Sequence, residues 1–407
     1  MKVLHADEYD TRVANNHINI KTTENEYVDY KNKICLKPWG YEHLVFESKK
    51  IGMWFLKVNI KACTSLHCHF NKDTIVFVIQ GCMKLRLHDE ILIVNEYDSV
   101  FIPKYKFHSI GSFSPETYLL EMEIFSSDVT FSDKNDLLRI DDVYKRPITG
   151  YGSSVKTTEP NSSYFFFENG TNIDIFNTKI KVETISSSYT NSEATTSIII
   201  DGSAYIYGND GTVTVISEGT VLDERKLVPR DTCTILSLTN HYMDENRKII
   251  YNNEHLSCLC NLMSDKITLT AGCFDVVHIG HLYFLKNAKS IGNKLMVCLS
   301  NDEQIRRLKG NERPVNLYED RIAFMKTIPY VDYIIMYNET NDDSEEELDI
   351  IIKIVKPDVW VKGGDYIVKN ITEKHPSIDN IHIINLITDK STSNIINTIR
   401  KIKTQIT

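Results

Sequence analysis

The sequence predicts a multidomain chain: an all-β region over its first two thirds, then an α/β domain built on a parallel sheet. Three observations carry that expectation. Between residues 35 and 130, short β-branched and aromatic runs are broken by Gly, Asn, Asp and Pro, the grammar of closely spaced strands. Residues 163–240 return to the same style, with TTSIIIDGSAYIYGNDGTVTVISEG as the clearest stretch. From Lys266 onward, strands alternate with amphipathic helices, which implies βαβ crossovers.

Taken in order, the first β stretch places strands in MWFLKVNI, TIVFVIQG, MKLRLHD, ILIVNEYDSVFIP and TYLLEMEIF. The polar SSVKTTEPNSS from Ser153 reads as a linker or long loop. Beyond it, IIIDG with a hairpin-like YGNDGT turn parallels FVIQG, and VLDERKLVPRDTCTIL parallels NEYDSVFIPKYKFHSI. The second β stretch is therefore read as a diverged repeat of the first. In the last third, strands are expected in KITLTAG, LMVCLS, VDYIIMY, DVWVKG and IHIINLI. Helices are expected in HLYFLKNAKSIG, LYEDRIAFMKTI, SEEELDIIIKIVK and STSNIINTIRKIK. The expected domains are 1–150, 151–262 and 263–407.

At 407 residues the chain exceeds one typical domain, and 42% hydrophobic content is enough for each part to build a core. A net charge of −9 argues against a nucleic-acid partner, so any anionic substrate must be held by a local cluster of cations and helix ends. Nine cysteines without a CxxC pair read as reduced thiols. MKVLHADEYD lacks a signal-peptide layout, and runs such as IVFVI are too short to cross a bilayer. A soluble cytoplasmic protein with no membrane partner is expected.

The richest stretch begins at Lys266, KITLTAGCFDVVHIGHLYFLKNAKS. An apolar run ends in a small-residue turn, then two histidines three apart open a helix. His278 and His281 share one face at that helix start, where free N–H groups and the dipole favour anions. The pair suggests a site for a nucleotide's phosphates; the plain alternative is two structural histidines near a turn.

GCFDVVHIGH resembles the signature of the nucleotidylyltransferase superfamily, a small residue, Phe-Asp and His-x-Gly-His. RRLKGNERPVNLYEDR from Arg306, VKGGDY from Val361 and STSNIINTIRKI from Ser391 follow in that family's order. Together the blocks resemble the heptose-1-phosphate adenylyltransferase domain, with glycerol-3-phosphate cytidylyltransferases as more distant relatives. The resemblance implies a Rossmann-like domain that joins a nucleoside triphosphate to a sugar or polyol phosphate and releases pyrophosphate. KGGDY favours ATP with a heptose 1-phosphate-like acceptor; CTP with glycerol 3-phosphate or another polyol phosphate is the alternative.

That chemistry needs no strong protein base, because a phosphomonoester's second pKa is about 6 and its oxygen is already ionised. It needs in-line positioning and neutralisation of the charge building on pyrophosphate. His278, His281, Lys309 and Arg321 are the candidates for that work, although Lys309 could be only a solvated helix face and Arg321 only a partner of nearby acids. Arg313 could fork onto phosphate oxygens. Ser391, Thr392 and Ser393 stand at a helix start that offers an anion nest, and the resemblance assigns them to a phosphate-binding element. Gly272, Cys273 and Phe274 form the turn at a strand's carboxyl end, where such sheets bind ligands. Asp275 either contacts Mg²⁺ or shapes the turn. Lys362, Gly363 and Gly364 let backbone approach a base or ribose, which Asp365 would hydrogen-bond. Mg²⁺ is expected with the nucleotide.

In the β half, His67-Cys68-His69 sits at a strand end with both imidazoles on one face, and His108 follows Pro103 on a later strand. This resembles the cupin superfamily, and KPWGYE from Lys37 is similar to its sugar-phosphate isomerase branch, as in mannose-6-phosphate isomerase domains. The resemblance implies a site for a divalent transition metal on His67, His69 and His108. Two positions depart from the pattern. The usual glutamate falls on Thr74, with Asp73 beside it as a substitute, and the usual glycine before the last histidine is Tyr105. Polar cavity lining without metal is the alternative. By resemblance the β region is cupin-like, with the second stretch a degenerate cupin-like repeat; lacking His-x-His, that stretch is expected to serve packing, dimerisation or ligand shape. The β region serves as an isomerase or epimerase, or as a binding or dimerisation module; a homodimer is expected.

Overall fold

The computed structural model describes residues 1–17, 29–126, 136–148, 156–161, 164–190, 196–207, 212–222, 226–240, 245–336, 344–364, 368–378, 380–385, 387 and 391–406. They form two compact units, Met1–Asp244 and Glu245–Thr407.

The first unit is built on β-structure. Its main sheet runs in the order Lys2–Val3, Ser99–Ile102, Lys72–Gln80, Glu116–Phe125, Ile51–Asn59, Gly40–Glu47, Ile34–Lys37 and Lys156–Thr158. One face packs on the three-stranded sheet of Ser109–Ser112, Cys82–Arg86 and Ile91–Asn95, so Trp54, Val76 and Val78 share a core with Met83, Leu85 and Leu92. The opposite face packs on a further sheet containing Thr178–Ile185, Thr196–Tyr207 and Lys226–Asn240. There Met53, Phe55, Ile75 and Phe77 meet Ile180, Val182, Ile198 and Leu236. Side chains alternate between faces, so a strand covered on both must be apolar at nearly every position. That is why IGMWFLKVN is buried over its first six residues.

The stretch read as a linker is partly a strand. Lys156–Thr158 pairs antiparallel with Ile34–Lys37, matching Lys156 to Leu36 and Thr158 to Ile34. All three residues are exposed, so ladder hydrogen bonds hold them and no apolar pattern marks them. The tip of the YGNDGT turn lies outside the described residues, but the flanking strands pair Tyr207 with Val213.

The second unit is α/β. Its six-stranded sheet is parallel throughout, in the order Ile249–Ile250, Tyr333–Met336, Lys294–Leu299, Ile267–Gly272, Val359–Gly363, Ile381–Ile384. This is the expected α/β class with a Rossmann-like parallel sheet. The unit also begins before Met263, where the sequence reading placed its start. Ile249–Ile250 adds an edge strand, and the helix Asn253–Leu262 puts Leu256, Leu259 and Cys260 into the same core as Leu269 and Trp360. From Ile267–Gly272 the chain winds outward in one direction, then returns to place Val359–Gly363 on that strand's other side. The sheet thus has a switch point between these two strands, and the crevice at their carboxyl ends is where such sheets bind ligands. Among the described residues, no helix is long and apolar enough to cross a membrane.

One buried group of the first unit works against stability. His43 is fully buried among the rings of Tyr41, Phe55, Tyr164 and Phe165, and neither ring nitrogen has a hydrogen-bond partner among the described residues. Burial pulls its pKa from 6.5 down to about 4, against the opposing pull of the Glu42 carboxylate. A depressed folded-state pKa gives stability that is full above pH 6.5 and is lost as pH falls towards about 4. His43→Leu is therefore expected to raise the melting temperature and flatten the acid limb, by relieving about 1–3 kcal/mol of unmet polar burial. A lower melting temperature at pH 7 would contradict this account of His43.

Candidate functional site

The crevice at the switch point is a cleft of about 290 Å³. Its floor is the turn after Ile267–Gly272. Gly272 is required there because a Cβ would stand 2.8 Å from the Phe274 ring, and Phe274 itself holds a left-handed φ of 43°. Phe274 is buried and packs at 5.3 Å from the His281 ring.

His278 is the N-cap of the helix Ile279–Ile291, and its ring stacks on His281 with centroids 4.0 Å apart. The Gly280 N–H donates to His278 Nδ1 at 3.1 Å, so the proton of the neutral ring is left on Nε2 as a donor. Burial lowers the pKa of both rings. For His281 it does so to about 4, assisted by the nearby positive charges of His278 and Lys309. Both histidines are neutral donors until an anion arrives.

Lys309, Arg313, Lys362, Gly363 and Ser391–Ser393 line the same cleft with Cys273. Lys309 is exposed and ends its helix. Burial holds the Lys362 ammonium below its usual pKa, and its Nζ lies 5.2 Å from the Trp360 ring centroid. Ser391 caps the last helix, accepting from Asn394 N–H at 3.2 Å, and Thr392 Oγ1 donates to the Val276 carbonyl at 3.5 Å. Gly364 follows the strand with φ 112°, and Asp365 lies outside the described residues.

Two sequence expectations change. Asp275 also lines the cleft, but its carboxylate accepts from Arg313 Nε at 2.6 Å and from the N–H groups of Val315 and Asn316 at 2.9 and 2.8 Å. Burial pushes its pKa up, yet those N–H groups and the guanidinium outweigh it and keep the carboxyl below its usual range. Asp275 is thus a turn-shaping group rather than a metal contact. The structure also does not bring Arg321 into the cleft. Its side chain has no exposed surface and donates to the carbonyls of Asn316, Cys273 and Ser300 and to the Asp302 carboxylate at 2.6–3.1 Å. Burial and four bonds leave it no reach to a phosphate.

The first unit holds a separate cavity of about 230 Å³, lined in part by His67, His69, Lys72 and Arg139. The ligand nitrogens of His67, His69 and His108 lie within 4.8 Å of one another. Each Nδ1 faces a backbone carbonyl: Ser65 at 2.8 Å, Asp136 at 2.5 Å and Lys106 at 2.9 Å. Burial keeps all three rings neutral, His108 with a pKa of about 4 and the others also well below the usual value. Each then presents an Nε2 lone pair, the tautomer a metal needs. His108 Nε2 is buried without a hydrogen-bond partner among the described residues, so the trio fits a divalent ion.

Asp73 does not join them. It accepts from Lys104 N–H at 2.8 Å, and strand alternation points it away from the face that carries Lys72 and Thr74. The sequence reading missed Lys72 and Glu123, a buried pair at 2.7 Å in the cavity wall. A lysine three residues after His-x-His was the available signal. A second cluster, Asp7, Asp10 and His88, already holds a cation, because Lys106 Nζ bonds both carboxylates at 3.0 and 2.7 Å.

Residues 269–400 match the family model described as Cytidylyltransferase-like, and residues 23–142 match Mannose-6-phosphate isomerase C-terminal. A protein of Helicobacter hepaticus called Bifunctional protein HldE is 41% identical over 156 residues, 38% of this chain and 31% of that one. Its namesake in Campylobacter fetus is 36% identical over 154 residues, 38% and 32% of the two chains. The chain spans about a third of the length of these curated relatives. Among solved structures, the lipopolysaccharide core biosynthesis protein of Thermoplasma volcanium is 24% identical, covering 30% of this chain and 98% of its own with a TM-score of 0.26. The chain thus carries a nucleotidyltransferase domain of the cytidylyltransferase-like kind and, ahead of it, a cupin-type domain.

Arg321 separates two roles by experiment. Arg321→Met should destabilise the second unit by about 3–5 kcal/mol, as when a buried ion pair loses one partner, seen as an earlier thermal transition. An unchanged transition with abolished turnover would return Arg321 to the chemistry.

Proposed function

We propose that the second unit transfers the nucleotidyl group of a nucleoside triphosphate, ATP in the favoured reading, to a sugar phosphate of heptose 1-phosphate type. An acceptor phosphate oxygen bonds the α-phosphorus in line, the bond to the β-phosphate oxygen breaks, and pyrophosphate leaves. The observation that carries this reading is the stacked pair His278 and His281 at a helix start, with Lys309 and the Ser391 helix start lining the same cleft. Such preset donors act on charge that grows during transfer. The KGGDY block supports ATP as donor, and the four blocks together support a heptose phosphate as acceptor. Mg²⁺ bound with the nucleotide would neutralise phosphate charge. Asp275 is the single carboxylate among the described lining residues and is already engaged, so the nucleotide's own oxygens would supply most of that ion's ligands.

His67, His69 and His108 would hold a divalent transition metal through Nε2, polarising an oxygen of a small ligand. The first unit would then act as a sugar-phosphate isomerase or epimerase; the match to a mannose-6-phosphate isomerase domain supports that class. A homodimer belongs to the same reading, supported by the exposed Leu308, Val315, Leu317 and Phe324, and sedimentation equilibrium reads it directly.

A pyrophosphate-release screen of four nucleoside triphosphates against sugar and polyol phosphates tests the reaction. ATP with a heptose 1-phosphate should be the productive pair; turnover with CTP alone would overturn the donor assignment. His278→Ala should lower kcat about 10²–10³-fold, the loss typical of one transition-state donor, with only a small drop in melting temperature from the lost helix cap. Full turnover in that variant would remove His278 from its role.

Metal analysis of the full chain should find one equivalent of transition metal, and His67→Ala should lose it. Equal metal content in the two proteins would refute the three-histidine centre.

A further inference from the structure

We infer that the cavity of the first unit binds a small-molecule oxyanion beside His67, His69 and His108, in the place a carboxylate side chain would fill on the metal. This rests on the metal reading above and is independent of nucleotidyl transfer.

Strand Lys72–Gln80 runs beside the three histidines and sets what the cavity offers a metal. Lys72 and Thr74 share its inward face, while Asp73 is turned away and held by the Lys104 N–H. Thr74 is 1% exposed, and its Oγ1 has no hydrogen-bond partner among the described residues. The position that points inward therefore offers a neutral hydroxyl and no charge.

The carboxylate opposite Thr74 is committed elsewhere. Glu123 lies directly across the ladder from Thr74. Its Oε1 takes the Lys72 ammonium at 2.7 Å and its Oε2 takes Trp54 Nε1 at 3.1 Å, all three side chains being buried. Glu42, also in the cavity wall, lies 3.6 Å from Lys37. Among the described residues, no carboxylate belongs to the cluster of ligand atoms within 4.8 Å that the histidines form.

Three neutral imidazoles supply ligands but no negative charge. A divalent ion there would place two positive charges in a cavity also lined by Lys72 and Arg139. Buried charge is tolerated when it is paired, and the three carboxylates among the described wall residues are all engaged: Glu42 and Glu123 face lysines, and Glu121 has a partner of its own. The balancing negative charge must then come with the ligand, as a phosphate or carboxylate group. The cavity, at about 230 Å³, has room for a small molecule of that kind.

If the anion and the ion balance each other, each must raise the other's affinity by the same factor. The test titrates cobalt(II) into the metal-stripped full chain, with inorganic phosphate, with acetate, or with neither, following equilibrium dialysis and the visible cobalt spectrum. Phosphate should tighten cobalt binding at least about 5-fold and shift the spectrum. A response to phosphate alone identifies a phosphate ester as ligand, and a response to both extends it to carboxylates. His67→Ala should abolish the effect, and Thr74→Glu should bind cobalt tightly with no dependence on added anion. Cobalt binding that ignores both anions in the wild-type chain would overturn the inference while leaving the metal centre standing. A phosphate effect that survives His67→Ala would assign it to another site and overturn the inference, and absence of cobalt binding would remove both readings.

Discussion

Asp275 and Arg321 hold the candidate cleft together, Asp275 in its wall and Arg321 from behind. The buried carboxylate gathers Arg313, Val315 and Asn316, and the buried guanidinium gathers the carbonyls of Cys273, Ser300 and Asn316 with the Asp302 carboxylate. Three stretches separated in sequence, 273–275, 300–302 and 313–321, are tied into one knot of charge-assisted bonds. Such bonds are short and directional, and the penalty for leaving any member unpaired is large. The left-handed Phe274 is tolerable because this knot over-determines the turn. The donors that face the ligand are thereby fixed before it arrives, which is what electrostatic catalysis requires.

In the first unit the equivalent constraint is the main sheet, which is buried on both faces. A sheet so placed leaves little freedom in its central strands, and a polar residue there must bring its own partner. Lys72, Glu123 and Trp54 do so as a closed set. His43 does not, and burial deprives it of its charge. The strand that carries Lys72 is also the one that would have supplied a metal-binding carboxylate. The packing that makes the fold therefore reaches directly into the chemistry of the cavity.

Much of this was legible in the sequence. KITLTAG, LMVCLS and DVWVKG read as strands because continuous β-branched runs bounded by turns have few other solutions, and His278 and His281 were placed by their spacing at a helix start. The helix Asn253–Leu262 was missed although its signals were present, an Asn252 cap and apolar side chains at 256, 259, 260 and 263. It follows a two-residue strand too short to show alternation, which hid the start of the unit. Lys156–Thr158 was not legible, since only its backbone is engaged. Arg321 was misplaced for a different reason. A basic residue beside a phosphate site and one that braces the site from behind look identical in sequence, and burial alone distinguishes them. Asp73 failed by strand parity, one residue from the inward face.

Both candidate sites rest on neutral histidines, and the backbone around each ring decides which kind of ligand it can take. In the first unit every Nδ1 faces a carbonyl, so Nδ1 keeps the proton and Nε2 offers a lone pair, suited to a cation. In the second, Nδ1 of His278 accepts from the Gly280 N–H, so Nε2 carries the proton and can donate, suited to an anion. Burial serves both outcomes by suppressing the imidazolium, which can offer no lone pair to a metal. The difference follows from where each histidine stands: beside strand-end carbonyls in one unit, and at a helix start rich in unpaired N–H groups in the other. The same side chain thus has opposite ligand preferences, and local secondary structure sets which one applies.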